Sequence, residues 1–300
     1  PIVVIGGFAL YKATGALENM ARGQALQIAK NMSDMVEIAI KEEMKLTSAI
    51  SVHPHVIDAA AKTSKEGVDR ASSEIERVSA ELAKIIKQTG TDYESIFVTD
   101  ANGTIIADGS NGKTKGIAVG DRDYFKEAKA GKVFVGSAIK SRASGKPVSV
   151  VSAPVYGKGG EFVGIAGTIL NIDFLSTKIQ SVKVGETGFP WMVDKSGLVV
   201  SHPKKEYILE LNITAQEGMK EITGKILARQ EGVESYSHQG VRKISGFAPV
   251  ENTNWSIAFT QNEAEFLSSA HMIRNVVLLI GAIFLVLTVV AVTFFARSIT

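Results

Sequence analysis

The spacing of hydrophobic residues in the first part of the chain predicts a long helix. Over residues 17–50, apolar residues recur at roughly helical spacing, and charged residues occupy the other faces. The HPH segment at residues 53–55 interrupts this pattern, because proline disfavours helix in the residue before it. A second helix follows, with apolar residues on one side between positions 75 and 86, and we expect Gly90 to stop it.

After Gly90 the pattern becomes that of β-strands. Residues 95–108, SIFVTDANGTIIAD, predict two strands joined by a turn that contains Asn102 and Gly103. The segments VFVGSAI, PVSVVSAPVY and EFVGIAGTILN predict further strands, and the segment IDFLSTKIQSV predicts a short helix that closes this unit.

The strand pattern then returns. Residues 191–201, WMVDKSGLVVS, match residues 97–107, FVTDANGTIIA, so that Asp194 follows Asp100 by 94 positions. The tripeptide APV recurs at a nearly equal offset of 95 positions. Two landmarks with nearly equal offsets indicate two tandem modules of similar α+β fold, each with a mostly antiparallel sheet. Asp100 and Asp194 then occupy equivalent turns, where an aspartate accepts local backbone hydrogen bonds.

Two apolar segments predict membrane helices. Residues 275–296 contain no charge and are long enough to cross a bilayer. The segment PIVVIGGFALY at the start is shorter, and we interpret it as part of a first membrane helix. Arg297 follows the second span and predicts its cytoplasmic side. The intervening region would then be periplasmic or extracellular, in a multi-pass protein of the cell inner membrane.

Composition and charge exclude several classes of function. The 300 residues carry a formal net charge of +2 without a basic block, which argues against nucleic-acid binding. With five histidines, no cysteine and no HExxH spacing, we predict no metal site and no cofactor, and we interpret His53 and His55 as a surface pair at a helix break. No nucleophile–base arrangement is visible, so an anchored extracytoplasmic hydrolase is not favoured over a binding protein.

Residues 120–132, GDRDYFKEAKAGK, contain the candidate chemistry. Arg122, Tyr124 and Phe125 stand at the start of a short helix. A guanidinium matches a carboxylate with paired donors, and an aromatic wall supplies apolar area. The alternative is structural: Arg122 pairs with Asp121 or Asp123, and the aromatic residues anchor the helix.

Several motifs together resemble the double Cache (dCache) sensor region of a bacterial methyl-accepting chemotaxis protein. The segments DRDYFKEAKAGK, SGKPVSVVSAPVY and GIAGTILNIDFL are similar to its membrane-distal module, and ETGFPWMVDKSGLVVSHP is similar to the start of its membrane-proximal module. The final RSIT resembles the entry to a HAMP helix. The resemblance implies an α+β fold with a long N-terminal helix and two tandem PAS-like Cache modules with antiparallel sheets, flanked by transmembrane helices.

With the membrane pattern, the resemblance divides the chain into seven segments: a partial first transmembrane helix (1–16), a long helical region (17–89), a membrane-distal Cache module (90–183), a membrane-proximal Cache module (184–262), a connecting helix (263–274), a second transmembrane helix (275–296) and the start of HAMP (297–300).

The resemblance also implies where a ligand binds. In this family an arginine and following aromatics line the pocket of the distal module, which corresponds here to Arg122, Tyr124 and Phe125. Amino-acid-binding members add a tyrosine and an aspartate where this chain has Ile139 and Ile169. A buried ammonium would lack its counter-charge there. We therefore expect a small anionic or polar ligand, with a carboxylate favoured. The further contacts that we expect come from the neighbouring strands: Ser137, Lys140, Ser152 and Thr168.

The resemblance implies a sensor that signals through the second transmembrane helix. We expect a homodimer through the long first helix, whose methionine-rich stripe exceeds what one sheet covers. Contact with cytoplasmic signalling proteins would involve only segments after Thr300. An amino-acid-binding chemoreceptor, and the sensor half of a histidine kinase or a diguanylate cyclase, remain the alternatives.

Overall fold

The computed structural model describes residues 2–182 and 184–299 and has an α+β architecture with a long N-terminal helix and two antiparallel sheets. The α-helices of this part are α1 (Ile2–Ser51), α2 (Pro54–Glu66), α3 (Ser72–Thr89), α4 (Asp123–Lys129), α5 (Ile172–Gln180), α6 (Lys220–Leu227), α7 (Glu263–Phe266) and α8 (Ser268–Ile299).

The two sheets have the same strand order. The strands of the first are β1 (Tyr93–Thr99), β2 (Ile105–Asp108), β3 (Phe134–Val135), β4 (Ile139–Lys140), β5 (Pro147–Tyr156) and β6 (Phe162–Asn171). Those of the second are β7 (Phe189–Asp194), β8 (Val199–Ser201), β9 (Gly232–His238), β10 (Val241–Pro249) and β11 (Trp255–Asn262). The first sheet runs β2-β1-β6-β5-β3, with β4 also on β5, and the second runs β8-β7-β11-β10-β9. The repeat read from the sequence is therefore a repeat of topology.

The turns at Asp100 and Asp194 are equivalent, as the offset predicted. Asp100 Oδ1 accepts from the backbone N–H groups of Asn102 and Thr104, at 2.9 and 2.8 Å. Asp194 Oδ1 accepts in the same way from Ser196 and Leu198, at 2.8 and 3.0 Å. Each carboxylate therefore holds one hairpin turn, and the two lie in separate sheets.

The long helix α1 packs across both sheets. Near its start, Arg22 Nη2 donates to the carbonyl of Val233 on β9 at 3.0 Å. Further along, Thr47 and Thr168 on β6 share a buried hydrogen bond of 2.9 Å. Gly246 on β10 lies directly against the backbone of α1, because a Cβ at this position would overlap the carbonyl of Ala25. Helix α1 thus joins the two sheets into one unit.

Two elements differ from the sequence prediction. Residues after the HPH break form an additional helix, α2, since Pro54 occupies its first turn, where proline fits well. The predicted strand VFVGSAI is split into β3 and β4 by residues 136–138. The split coincides with Ser137, whose N–H and hydroxyl bind the carboxylate of Asp123 at 2.9 and 2.7 Å.

Within the described residues, one helical stretch, Arg274–Phe295, is long and apolar enough to cross a membrane. It lies within α8 and coincides with the predicted second span. The prediction of a partial first span over residues 1–16 rests on side chains that lie mostly outside the described residues, as does Thr300 of the predicted HAMP segment.

Candidate ligand-binding site

The start of helix α4 is held in place by Asp123. Its Oδ1 accepts from the backbone N–H of Tyr124 at 2.7 Å, and its Oδ2 binds Ser137, as described above. Ser152 Oγ on β5 donates to the carbonyl of Tyr124 at 2.8 Å. Arg122 precedes the helix in an extended conformation, with φ −73° and ψ 149°. These bonds orient Arg122 and Tyr124 toward the sheet face that lies away from α1.

A small cavity, here called the distal cavity, lies between α4 and this sheet face. Its free volume is about 30 Å³, which is room for one or two water molecules. Its lining is mostly apolar and comes from five strands, the turn before α4 and the loop after β4: Phe97, Ile105, Thr114, Ile117, Val119, Arg122, Tyr124, Ile139, Ser141, Arg142, Ala143, Val148, Val150 and Ile169.

Two polar groups of this lining have no protein partner among the described residues. The guanidinium of Arg122 is half-buried and makes no hydrogen bond or salt bridge there, and the hydroxyl of Tyr124 makes no hydrogen bond. Burial raises the pKa of Tyr124 above its ordinary value, so that the hydroxyl keeps its proton. The other hydroxyls are engaged, since Thr114 donates to Asp108 at 2.8 Å and Ser141 donates to Glu94. The distal cavity thus presents one cation and one hydroxyl without protein partners.

Arg142, in the loop after β4, takes the acidic partner that the structural alternative had given to Arg122. It donates to both carboxylate oxygens of Asp121, at 2.9 and 2.6 Å, and also to the carbonyl of Ala118. This pairing lowers the pKa of the Asp121 carboxyl to about 2. Because Asp123 is bound to Ser137 and to the backbone, Arg122 is paired with neither aspartate.

The structure brings together some of the predicted site residues and separates others. Arg122, Tyr124, Ile139 and Ile169 line the distal cavity. Phe125, Ser137, Lys140, Ser152 and Thr168 do not.

The residues outside the lining have other contacts. Phe125 is buried in the core, with its ring 6.1 Å from that of Phe162. Ser137 and Ser152 hold α4, as described above. Lys140 is exposed and pairs with Glu210 of the second module at 2.7 Å. Thr168 points to α1, because successive residues of a strand face opposite sides of the sheet.

The distal cavity has no acidic lining residue in the described part of the chain. Ile139 and Ile169, which the resemblance aligned with the tyrosine and the aspartate of amino-acid-binding members, both line the cavity and are apolar. Arg142 and Ser141 also line the cavity, and neither was predicted as a site residue. The signal for them was only the polar segment SRASGK between two strands.

A second feature missed from the sequence is a group of possible metal ligands just after the C-terminal end of α1. His55 Nδ1 lies 2.8 Å from Glu81 Oε1, and His53 Nδ1 lies 4.0 Å from Glu81 Oε2. One ligand atom from each of the three residues lies within 4.8 Å of the others. Two imidazoles and a carboxylate are a donor set that suits a divalent transition metal. Glu81 comes from α3, so the expectation of a simple histidine pair was incomplete.

Comparison with known proteins gives a consistent result. A family model described as Cache domain (dCache_1) matches residues 12–270. The chain is 22% identical over 302 residues to the methyl-accepting chemotaxis protein McpA of Bacillus subtilis, and 20% identical to TlpB of the same organism. Each alignment covers 100% of this chain and 42% of the relative, so the chain spans less than half the length of these curated relatives.

Solved structures share the fold. The ligand-binding domain of the Pseudomonas fluorescens chemoreceptor CtaA in complex with L-isoleucine has a TM-score of 0.61 at 15% identity, covering 85% of this chain and 98% of that chain. The ligand-binding domain of Mlp24 with asparagine has a TM-score of 0.59 at 16% identity, covering 86% and 99%. The extracellular domain of mmHK1S-Z2, a protein provisionally described as a histidine kinase, has a TM-score of 0.64 at 17% identity, covering 83% and 99%.

Proposed function

This chain belongs to the family of double Cache domains, and we propose that it is the sensor region of a transmembrane chemoreceptor that binds a small carboxylate in the membrane-distal module. The module boundaries are those of the sequence analysis, 90–183 for the distal and 184–262 for the proximal module. The sensor region faces the periplasm or the cell exterior, and the protein is a multi-pass protein of the inner membrane. The relatives named methyl-accepting chemotaxis proteins support chemotaxis as the response.

The observation that carries this proposal is the pair of unpartnered donors at the distal cavity. The guanidinium of Arg122 is only half-buried and is reached by solvent, so a ligand carboxylate can take the place of water there. Arg122 donates two parallel hydrogen bonds to the carboxylate, and the Tyr124 hydroxyl donates a third. The apolar side chains of Phe97, Ile139 and Ile169 contact the rest of the ligand.

The ligand lacks an α-ammonium group. The described lining contains no acidic side chain that could accept hydrogen bonds from an ammonium group. Moving an unpaired ammonium group out of water costs roughly several kcal/mol. This separates the proposal from the amino-acid-binding alternative, which is supported by the related folds of CtaA with L-isoleucine and Mlp24 with asparagine.

The distal cavity opens before the ligand enters. Its volume of about 30 Å³ is too small for a carboxylate with a carbon chain. The loop of residues 141–145 closes it through the pairs of Arg142 with Asp121 and of Ser144 with Glu94. A ligand that binds one loop position better than the other shifts the equilibrium between them.

The signal reaches the membrane through β11, α7 and α8, which are consecutive in the chain. Glu265 on α7 accepts hydrogen bonds from the backbone of Glu186 at 2.6 Å and of Thr187 at 2.9 Å, so α7 is tied to the start of the proximal sheet. A small displacement of this sheet therefore moves α8. The output stays open between a chemotaxis receptor, a histidine kinase and a diguanylate cyclase. Sequencing of the segment after Thr300 discriminates them.

A thermal-shift titration of the full chain in detergent micelles tests this function. Propionate and alanine are compared, because they differ by the α-ammonium group. At one hundred times Kd a ligand stabilises the folded state by about 2.7 kcal/mol, which raises Tm by roughly 4 °C in a chain of this size.

We expect propionate or a related small carboxylate to raise Tm, and Arg122→Gln to abolish the shift. Arg77→Gln is the matched control, since Arg77 is exposed on α3, far from the lining. The carboxylate assignment fails if alanine raises Tm while propionate, acetate and pyruvate do not.

A further inference from the structure

The membrane-proximal module contains a second and larger cavity, here called the proximal cavity. It lies between the sheet face away from α1 and residues 202–219, and its free volume is about 160 Å³. The lining side chains that matter here are Phe189, Trp191, His202, Tyr207, Tyr236 and Lys243. The distal cavity, by contrast, has only about 30 Å³.

The two cavities occupy equivalent positions of the repeat. Phe97, Ile105, Ile117 and Val119 of the distal cavity correspond, at the offset of 94 positions, to Trp191, Val199, Leu211 and Ile213 of the proximal cavity. The correspondence ends at the charged group. Arg122 has no counterpart in the proximal lining, and Lys243 on β10 stands at the position of Val148, at the offset of 95 shown by the APV tripeptides. The second module thus has a cavity at the equivalent place, and the cation of this cavity, Lys243, comes from the sheet.

The proximal cavity has an aromatic wall. The ring centroid of His202 lies 5.3 Å from that of Phe189 and 4.9 Å from that of Tyr207. Trp191 Nε1 donates to Thr260 at 2.7 Å, which fixes the indole against the sheet. Rings at these separations form stacked and edge-on contacts with a further planar group.

Among the described residues, the charged side chains that line the proximal cavity are two lysines. Lys243 Nζ lies 5.4 Å from the ring centroid of Phe189 and donates to Asn262 Oδ1 at 3.3 Å. Lys204 Nζ lies at the rim, 5.2 Å from the ring centroid of Tyr207. Neither lysine has a carboxylate partner in the described part of the chain, and no acidic residue there lines the cavity.

His202 adds a directed hydrogen-bond donor. Its Nδ1 accepts from the backbone N–H of Lys204 at 2.9 Å, so in the neutral ring the proton lies on Nε2. Burial, with Lys204 nearby, lowers the pKa of His202 to about 4, and the ring is therefore neutral at physiological pH. A neutral ring stacks and donates without adding charge.

We propose that the proximal cavity binds a planar, single-ring carboxylate of the benzoate class. An engineered protein cavity of about 150 Å³ admits benzene, so the volume suits one ring. The ring stacks among Phe189, Trp191 and Tyr207, and the carboxylate receives hydrogen bonds from Lys243. This site is distinct from the Arg122 site and does not depend on the function proposed for it.

Tryptophan fluorescence of the full chain in detergent micelles tests the proposal, with benzoate as the probe. The chain has two tryptophans. Trp191 lines the cavity and Trp255 is fully buried elsewhere in the core, so Trp255→Phe leaves Trp191 as the reporter. We expect saturable quenching by benzoate and binding at least about tenfold weaker for benzamide, which has the ring without the charge.

Two lysine variants test whether benzoate binding needs the positive charge and not only an intact fold. Lys243→Gln keeps a polar group near Asn262 and should weaken benzoate binding about tenfold. Lys204→Gln, at the exposed rim, should weaken it less and serves as a second variant. Lys220→Gln, outside the lining in the same module, and Arg122→Gln in the distal module should leave it unchanged. Quenching that does not saturate, equal binding of benzamide, or parent-like binding by Lys243→Gln would overturn the proposal.

Discussion

Arg142 donates two hydrogen bonds to the carboxylate of Asp121, at 2.9 and 2.6 Å, across the mouth of the distal cavity. Both side chains are well exposed, at 39% and 63% of their surface. The pair has two consequences for the site. It holds the loop of residues 141–145 over the cavity, and it binds both carboxylate oxygens of Asp121, the residue next to Arg122 in the chain.

Removal of this pair should speed ligand exchange. Arg142→Gln frees the loop, but an exposed ion pair contributes only about 0–1 kcal/mol. We therefore expect the association and dissociation rates of propionate both to rise, by up to about fivefold, while Kd changes little. Stopped-flow measurements give both rates, and Lys146→Gln, in the same loop region, is the control. An unchanged dissociation rate would show that the pair does not limit opening.

Two glycines should respond to alanine in opposite directions. At Gly246 the new Cβ overlaps the carbonyl of Ala25 on α1, and overpacking of this kind destabilises by about 1–3 kcal/mol. At Gly224, within α6, nothing lies within 4 Å of the added Cβ, so alanine should stabilise by about 0.5–1 kcal/mol. Thermal melting of both variants in micelles measures the difference. A Gly246→Ala variant that melts as high as the parent would contradict the close packing of α1 on β10.

Because of His202, we expect the folded chain to lose stability in mild acid. Its pKa is about 4 in the folded chain, chiefly through burial and then through Lys204, against an ordinary value of about 6.5. Between these values the unfolded chain binds the proton and the folded chain does not, so stability falls as the pH drops from 7 toward 4. After allowance for partial exposure, we expect a loss of about 1 kcal/mol between pH 7 and pH 5.

Melting curves at pH 7 and pH 5 check this expectation. The Tm difference between the two pH values should shrink in His202→Asn, because asparagine does not titrate. His238, whose pKa is also lowered by burial, contributes in the same direction and is tested by His238→Asn. A pH effect of full size in the double variant would place its origin elsewhere.

The homodimer expected from the sequence remains a prediction. Met32, Val36 and Ile40 of α1 pack inside the monomer, which removes part of the apolar stripe on which the expectation rested. Ile38 and Met20 are 63% and 65% exposed, and their spacing of 18 residues places them on one helix face. Ile38→Glu should therefore shift the mass in native detergent toward the monomer, whereas Val68→Glu, on the surface after α2, should not. A parent chain that is monomeric at every concentration would refute the dimer.

The family and the repeat could be predicted from the sequence. Strand alternation, the offset of 94 positions and the motifs around Asp100 and Asp194 depend on neighbours close in the chain, and the match to the Cache family over residues 12–270 confirms the resemblance. The candidate membrane span in α8 could be predicted for the same reason, because a long apolar run is a property of neighbouring residues in the sequence.

The site was only partly readable, because orientation on a strand depends on register. Of the residues predicted to bind a ligand, Arg122, Tyr124, Ile139 and Ile169 line the distal cavity, whereas Thr168 faces α1 and Ser137 binds Asp123.

By itself the sequence determined the fold family, the repeated turns and the apolar run that makes α8 a candidate membrane span. Only the tertiary structure decided which cations lack an acidic partner and how large the two cavities are. The pairing of Arg142 with Asp121 joins residues 21 positions apart, and the wall of the proximal cavity joins Trp191 with Lys243 across the sheet. Volume and charge compensation depend on such distant neighbours, whereas local patterns depend on residues close in the chain.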